Sequence, residues 1–152
     1  MRLDHGGISV TLPDGWEARA RLQQSVSPGA TGNVLLHAAT VPLPAGRGDF
    51  GSGVVETLGS DDIFVALFEY DKADARQPLF EARGLPAVRP ADFSPAVLQR
   101  TGRGHTGAQW FFGSAGRAFC LHVVLGSHSR RAAGAARVAA LLSGTVIGGR
   151  TT

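Results

Sequence analysis

Short stretches in which hydrophobic and polar residues alternate open the chain, and this period of two is typical of half-buried β-strands. Residues 8–12 read Ile-Ser-Val-Thr-Leu, and residues 16–22 repeat the alternation with the charged side chains on one face. Between them, residues 13–15 (Pro-Asp-Gly) have the composition of a tight turn. The pattern predicts a hairpin of these two strands, in which Trp16 is a core anchor because it alternates in phase with the apolar residues of the second strand.

Two further stretches, residues 34–41 and 63–70, are apolar on both faces over most of their length. A strand of this kind is expected to lie centrally in a sheet, where both of its faces are covered. Residues 109–112 and 118–125 are also strand-like and flank a Gly-Ser-Ala-Gly turn at 113–116. They predict a second hairpin.

Near the C-terminus the period changes from that of a strand to that of a helix. The apolar residues that fall on one helical face are Ala135, Val138, Ala139 and Leu142. Gly144 is expected to end this helix, and residues 146–147 add a short strand. The whole pattern predicts a single α+β domain over residues 1–152, with an antiparallel sheet of about six strands and the C-terminal helix packed on it.

Residues 71–108 contain four prolines and no sustained apolar period. They predict an irregular connection with one short helix, which starts at Ser94 with Pro95 in its first position. Connections of this length are uncommon in compact domains and are often functional or mobile. This segment is therefore the expected partner-binding surface and the expected most mobile part of the free protein.

Composition and charge narrow the function classes. The chain has 152 residues, of which 43% are hydrophobic and 18% charged, as in globular proteins. Its net charge is only +3, and its basic residues are scattered arginines apart from Lys72, so a nucleic-acid partner is not expected. Abundant Ala, Gly and Arg suggest a GC-rich bacterial genome. A single cysteine, with neither a signal-type apolar region nor a membrane-length apolar run, predicts a cytoplasmic protein without a membrane partner.

Two short motifs are candidates for a cofactor site and a metal site. Residues 46–51 match the Gly-x-Gly-x-x-Gly pattern of dinucleotide-binding turns, but prolines precede them and no long helix follows, which favours an ordinary turn. Cys120 and His122 lie two apart on a predicted strand and could supply two zinc ligands. Because no second ligand pair exists, we predict a buried cysteine, a hydrogen-bonded histidine, and neither metal nor cofactor.

His128, Arg130 and Arg131 stand at the start of the C-terminal helix, where positive side chains oppose the helix dipole. An anion could offset this arrangement, because backbone donors and arginine side chains would converge on it. These three residues are the candidate ligand-binding residues. The alternative is that they form a solvated face.

Residues 8–16 also carry a family resemblance. This alternating strand runs into Pro-Asp-Gly-Trp and resembles the opening of PsbP-like proteins, and the final helix with its Leu-Leu-Ser end, followed by Val146 and Ile147, is similar to how those chains close. The resemblance implies an antiparallel sheet with helices packed on it. It also implies an accessory or binding protein, since the family shares no catalytic residues.

The function expected from the sequence is that of a non-enzymatic bacterial accessory or adaptor domain. It would bind another protein through residues 71–108 or through a sheet edge. One alternative is a small anionic-ligand binding protein that uses His128, Arg130 and Arg131. Another is an enzyme whose site is assembled from dispersed residues, and self-association into a homo-oligomer also stays open.

Overall fold

The computed structural model describes residues 1–23, 33–98 and 104–149, and within them eight strands form two antiparallel sheets. The smaller sheet has the order β1-β2-β8 and the larger sheet β3-β4-β5-β7-β6. The α+β class with a C-terminal helix is confirmed, although the strands are divided over two sheets and not gathered in one. The elements are β1 (Arg2–His5), β2 (Ile8–Thr11), β3 (Glu17–Gln23), β4 (Asn33–Ala39), β5 (Ile63–Glu69), β6 (Thr106–Ser114), β7 (Arg117–Leu125), α1 (Arg131–Ser143) and β8 (Thr145–Ile147).

The predicted first hairpin is wrong, because residues 8–12 and 16–22 enter different sheets. β2 pairs with β1 through a tight turn at Gly6 and Gly7, whose φ angles of 57° and 82° favour glycine. β3 pairs with β4. The Pro-Asp-Gly turn therefore carries the chain from the smaller sheet to the larger one.

The predicted second hairpin is confirmed, and β6 and β7 pair over their full lengths. The two-residue loop between them consists of Ala115 and Gly116, with φ angles of 53° and 75°, as a type I′ turn requires. This register sets Gln109 directly opposite His122. Directly opposite residues of an antiparallel pair point to the same face of the sheet, so these two polar side chains are neighbours.

The main core lies between one face of the larger sheet and a layer formed by α1 and the smaller sheet. From the helix, Ala135, Val138 and Leu141 are buried, whereas Ala139 is exposed, so the inward face is rotated toward Leu141 relative to the prediction. Trp16 packs against this core but is only partly buried, which places it at the margin. No helix in the described part of the chain is long and apolar enough to cross a membrane.

Arg117 forms a buried ion pair within the larger sheet and also connects this sheet to the smaller one. Arg117 on β7 binds Glu69 on β5 through two hydrogen bonds, Nε to Oε2 at 2.8 Å and Nη2 to Oε1 at 3.0 Å. The two side chains are only 4% and 2% exposed. Arg117 Nη1 also donates to the carbonyl oxygens of Gly6, at 2.8 Å, and Gly148, at 3.0 Å. One guanidinium thus holds the larger sheet to the β1–β2 turn and to the end of β8.

The described part of the 71–108 segment is irregular, as predicted, and contains four short 3₁₀ helices. One of them, Pro95–Val97, begins after Ser94 as the sequence indicated. Phe80 and Phe93 are buried, and backbone hydrogen bonds join this segment to β6 at Gly107 and Gly113. The segment therefore packs by its own apolar residues and covers the edge of β6. Residues 99–103, to which the mobility prediction also applied, lie outside the described residues.

Candidate functional site

The second face of the larger sheet, opposite α1, is covered in part by the loop between β4 and β5, which we call the cover loop (residues 43–58). Leu43, Val54 and Leu58 of this loop are buried in a second, smaller core. Their partners on the sheet include Phe64 and Ala66. This packing fixes both ends of the cover loop and leaves its middle to project over the sheet.

His37 on β4 anchors the middle of the cover loop. Arg47 Nε donates to His37 Nδ1 at 2.7 Å, and His37 Nε2 lies 2.7 Å from the carbonyl oxygen of Asp49. Because an arginine nitrogen can only donate, His37 Nδ1 must accept and Nε2 must carry the proton that is donated to Asp49. The Asp49 carboxylate in turn accepts from Arg21 at 2.7 Å and from Gln23 at 3.0 Å.

The Gly-x-Gly-x-x-Gly motif lies in this loop, and the next helical element is a single 3₁₀ turn, Val55–Thr57. The pyrophosphate-binding arrangement needs a full helix that starts at the motif. Gly51 has a φ angle of 96°, and a Cβ added there would lie 2.7 Å from Phe64 Cε2. The third glycine therefore allows close packing on the sheet.

Gly51→Ala is expected to lower the free energy of unfolding by about 2 kcal/mol, because alanine is strained at positive φ and its methyl group would overlap the Phe64 ring. Gly46→Ala is the matched control, since a Cβ there meets nothing within 4 Å. Urea unfolding of both variants measures the difference. Equal stability of the two would contradict the close contact.

A cavity of about 660 Å³ opens between the cover loop and the floor of the larger sheet. We call it the sheet cavity. A volume of this size falls within the range of small-ligand pockets, which runs from roughly 300 to 1,000 Å³. Its lining residues are Gly48, Asp49, Phe50, Ser52, Val55, Glu56, Val97, Leu98, His105, Gln109, His122 and Val124.

His122 is the buried polar group of this lining. Its side chain is on β7, the residue is 8% exposed, and its Nδ1 is buried without a hydrogen-bond partner. Phe50 of the cover loop meets the imidazole edge-on, with ring centroids 5.4 Å apart. Burial lowers the pKa of His122, so the ring is neutral at neutral pH. The hydrogen bond expected for this histidine is absent at Nδ1.

The ionisable side chains that line the sheet cavity are acids and histidines. In the described part of the chain, no arginine or lysine is among the lining residues. The Asp49 carboxylate is already paired with Arg21. Glu56 Oε2 accepts a hydrogen bond from the backbone of Gly53 at 2.8 Å, which positions this carboxylate in the cover loop. The lining residues that the structure describes therefore carry a slight excess of negative charge.

Cys120 is buried, as the sequence indicated, and burial raises the pKa of its thiol to about 12. A thiol with such a pKa is protonated at neutral pH, and a protonated thiol is a poor nucleophile and a poor metal ligand. In the three described ranges, no group of three or more His, Cys, Asp and Glu side chains is placed to hold a metal ion. Cys120 is accordingly a core residue.

The predicted ligand-binding residues at the start of α1 have partners within the chain. Arg130 Nε pairs with Asp61 Oδ1 at 2.8 Å, and both side chains are more than half exposed. His128 Nδ1 lies 2.9 Å from Thr106 Oγ1, and Arg131 Nη1 donates to the His128 carbonyl oxygen at 3.0 Å. The adjacent cavity, which Arg130 lines, measures only about 20 Å³. Arg130 is thus paired with a carboxylate of the same chain, and anion binding by these residues stays a prediction.

The sequence did not identify the sheet cavity. One signal was present, because the register of the predicted β6–β7 hairpin places Gln109 beside His122 on a face that is otherwise largely apolar. The cover loop left no such signal, since its course depends on contacts that exist only in the folded sheet. Comparison with known proteins adds no relative: no protein-family model, curated protein or solved structure matches the chain.

Proposed function

We propose that this protein binds a small ligand in the sheet cavity. The observation that carries the proposal is the neutral imidazole of His122, which walls a cavity of about 660 Å³ and has an unpartnered, buried Nδ1. A buried polar group without a partner costs free energy, and such groups are uncommon unless they serve a function. A ligand that occupies the cavity can supply polar contacts to this wall and cover its apolar residues.

The protein-binding role expected from the sequence has less support from this geometry. The 71–108 segment covers the edge of β6, with Phe80 and Phe93 buried, so this edge is not free for a partner strand. The other edge of the larger sheet is β3, which carries Arg19 and Arg21. Charged side chains on an edge strand disfavour pairing with a further strand. An adaptor role, like the PsbP-like resemblance, stays a prediction.

The proposal is tested by nuclear magnetic resonance titration with benzyl alcohol, a neutral aromatic probe. We expect saturable shifts of the amide signals of Gln109, His122 and Val124, with a dissociation constant on the order of 1 mM, as is usual for so small a molecule. Gln109→Trp should abolish these shifts, because the indole would fill the space above the sheet. Binding that survives this substitution would place the ligand elsewhere.

Val146→Trp is the control for the substitution itself. Val146 lies on β8 in the smaller sheet and is 65% exposed, and it does not line the sheet cavity. The same indole is therefore added to a strand without entering the proposed site. This variant should bind benzyl alcohol as the unchanged protein does.

A further inference from the structure

About half of the wall of the sheet cavity is apolar. The apolar part is formed by Phe50, Val55, Val97, Leu98 and Val124. Phe50 is 42% exposed, although it also stacks on Phe68 with a centroid distance of 6.0 Å. An exposed aromatic ring at the rim of a cavity offers a surface for an apolar or aromatic body.

The polar groups of the cavity favour a hydrogen-bond donor as ligand. Glu56 accepts one hydrogen bond, from Gly53, and a carboxylate has about four acceptor sites, so capacity remains. A neutral imidazole offers one acceptor nitrogen. In the described residues no cation forms an ion pair with Glu56. Asp49, the other acid of the lining, is occupied by Arg21 and Gln23.

From this arrangement we infer that the ligand is a cationic amphipathic amine, whose ammonium group binds Glu56 and whose apolar body packs against Phe50 and Val55. The inference rests on the proposed function of the sheet cavity. An ammonium group has three donors, so it can bind the carboxylate and keep donors for other acceptors. A ligand carboxylate would meet the like charge of Glu56, which is unfavourable.

Three probes of equal size separate charge from shape: benzylamine, benzyl alcohol and benzoate. Each is titrated at pH 7.5, and the amide signals of Gln109, His122 and Val124 report occupancy of the cavity. We expect benzylamine to bind about tenfold more tightly than benzyl alcohol and benzoate to bind at least tenfold more weakly, as one close charge contact near a protein surface would produce.

Glu56→Gln is the decisive variant. Glutamine keeps an acceptor for the Gly53 amide but has no charge. The affinity for benzylamine should therefore fall to that for benzyl alcohol, and the affinity for benzyl alcohol should be unchanged. Glu81→Gln removes one negative charge from an exposed position that does not line the cavity and should preserve the tenfold preference. A general effect of net charge would instead appear in both variants.

The outcomes distinguish the two proposals. If benzyl alcohol binds in the cavity but benzoate has the same affinity as benzylamine or a higher one, the cationic ligand class is wrong. The ligand-binding function would still stand. A preference for benzylamine that persists in Glu56→Gln would overturn the assignment of Glu56 as the group that binds the ammonium. If none of the three probes shifts the cavity amides, both the function and the ligand class are wrong.

Discussion

Replacing Arg117 with methionine is expected to lower the free energy of unfolding by about 3–5 kcal/mol, which is the usual cost of removing one partner from a buried ion pair. Glu69 is 2% exposed, and it would lose two hydrogen bonds and the compensating charge. The carbonyl groups of Gly6 and Gly148 would lose a donor as well. Methionine keeps most of the length of the side chain, so the loss would report the charge and hydrogen bonds more than the volume.

Arg2→Met is the matched control, because Arg2 also forms an ion pair, with Asp4, at 3.2 Å. Those side chains are 66% and 62% exposed, and surface pairs of this kind contribute about 0–1 kcal/mol. Urea unfolding of both variants at pH 7 gives the comparison. An Arg117→Met protein within about 1 kcal/mol of the unchanged protein would show that the two sheets are held together by apolar contacts alone.

The elements that the sequence predicted correctly are those whose pattern is local. The β6–β7 hairpin combines alternating or continuous apolar residues with a two-residue turn that has positive φ at Ala115 and Gly116, and both signals are contained in about twenty consecutive residues. The helix α1 is likewise defined by its own period and by Gly144 at its end. Local agreement between pattern and turn chemistry made these elements predictable.

The division into two sheets was not predictable in the same way. β1 reads Arg-Leu-Asp-His, is only four residues long and has no apolar alternation beyond Leu3, so nothing marked it as a strand. Gly6 and Gly7 form the turn that pairs β1 with β2, whereas the sequence prediction placed the hairpin at the Pro-Asp-Gly turn after residue 12. Which turn forms a hairpin is decided by packing against β8, which is more than 130 residues away in sequence.

The same contrast between local patterns and non-local contacts applies to the candidate site. The helix start was predicted, and with it the positions of His128, Arg130 and Arg131, but the Asp61 carboxylate that pairs with Arg130 comes from a distant loop. The sheet cavity depends on the cover loop, whose anchors His37 and Gly51 act through contacts that only the folded sheet provides. Sequence patterns report periodicity along the chain and do not report such non-local contacts.

The stability of this protein is expected to fall as the pH is lowered below about 6.5, and His37 is one of two residues responsible. Burial lowers the pKa of His37, and the nearby charges of Arg47 and Arg21 lower it further, although the hydrogen bond to Asp49 acts in the opposite direction. Protonation would also place a hydrogen on Nδ1, where Arg47 already donates. Burial lowers the pKa of His122 as well.

The direction of the effect follows from proton binding. In the unfolded chain a histidine titrates near pH 6.5, whereas the folded protein keeps these two rings neutral to lower pH. Between those values the unfolded state binds more protons, so stability rises with pH there and is lost as the pH falls. Above pH 6.5 both states are neutral and the contribution is constant. From pH 7.5 to pH 5.5 the loss is at most about 1.4 kcal/mol for each histidine, and this limit is reached when the folded ring stays neutral throughout.

His37→Gln separates the two contributions, because its carboxamide has an acceptor for Arg47 and a donor for the Asp49 carbonyl group but does not titrate in this range. Urea unfolding at pH 7.5 and pH 5.5 should show a smaller difference in His37→Gln than in the unchanged protein, by up to about 1.4 kcal/mol, and His122→Gln should also reduce the difference. The double variant should show the sum of the two reductions, since carboxylates common to all four proteins cancel. If His37→Gln keeps the full pH dependence of the unchanged protein, protonation of His37 in the folded state at pH 5.5 costs no free energy. The hydrogen bond from Arg47 to His37 would then not be the contact that fixes the cover loop.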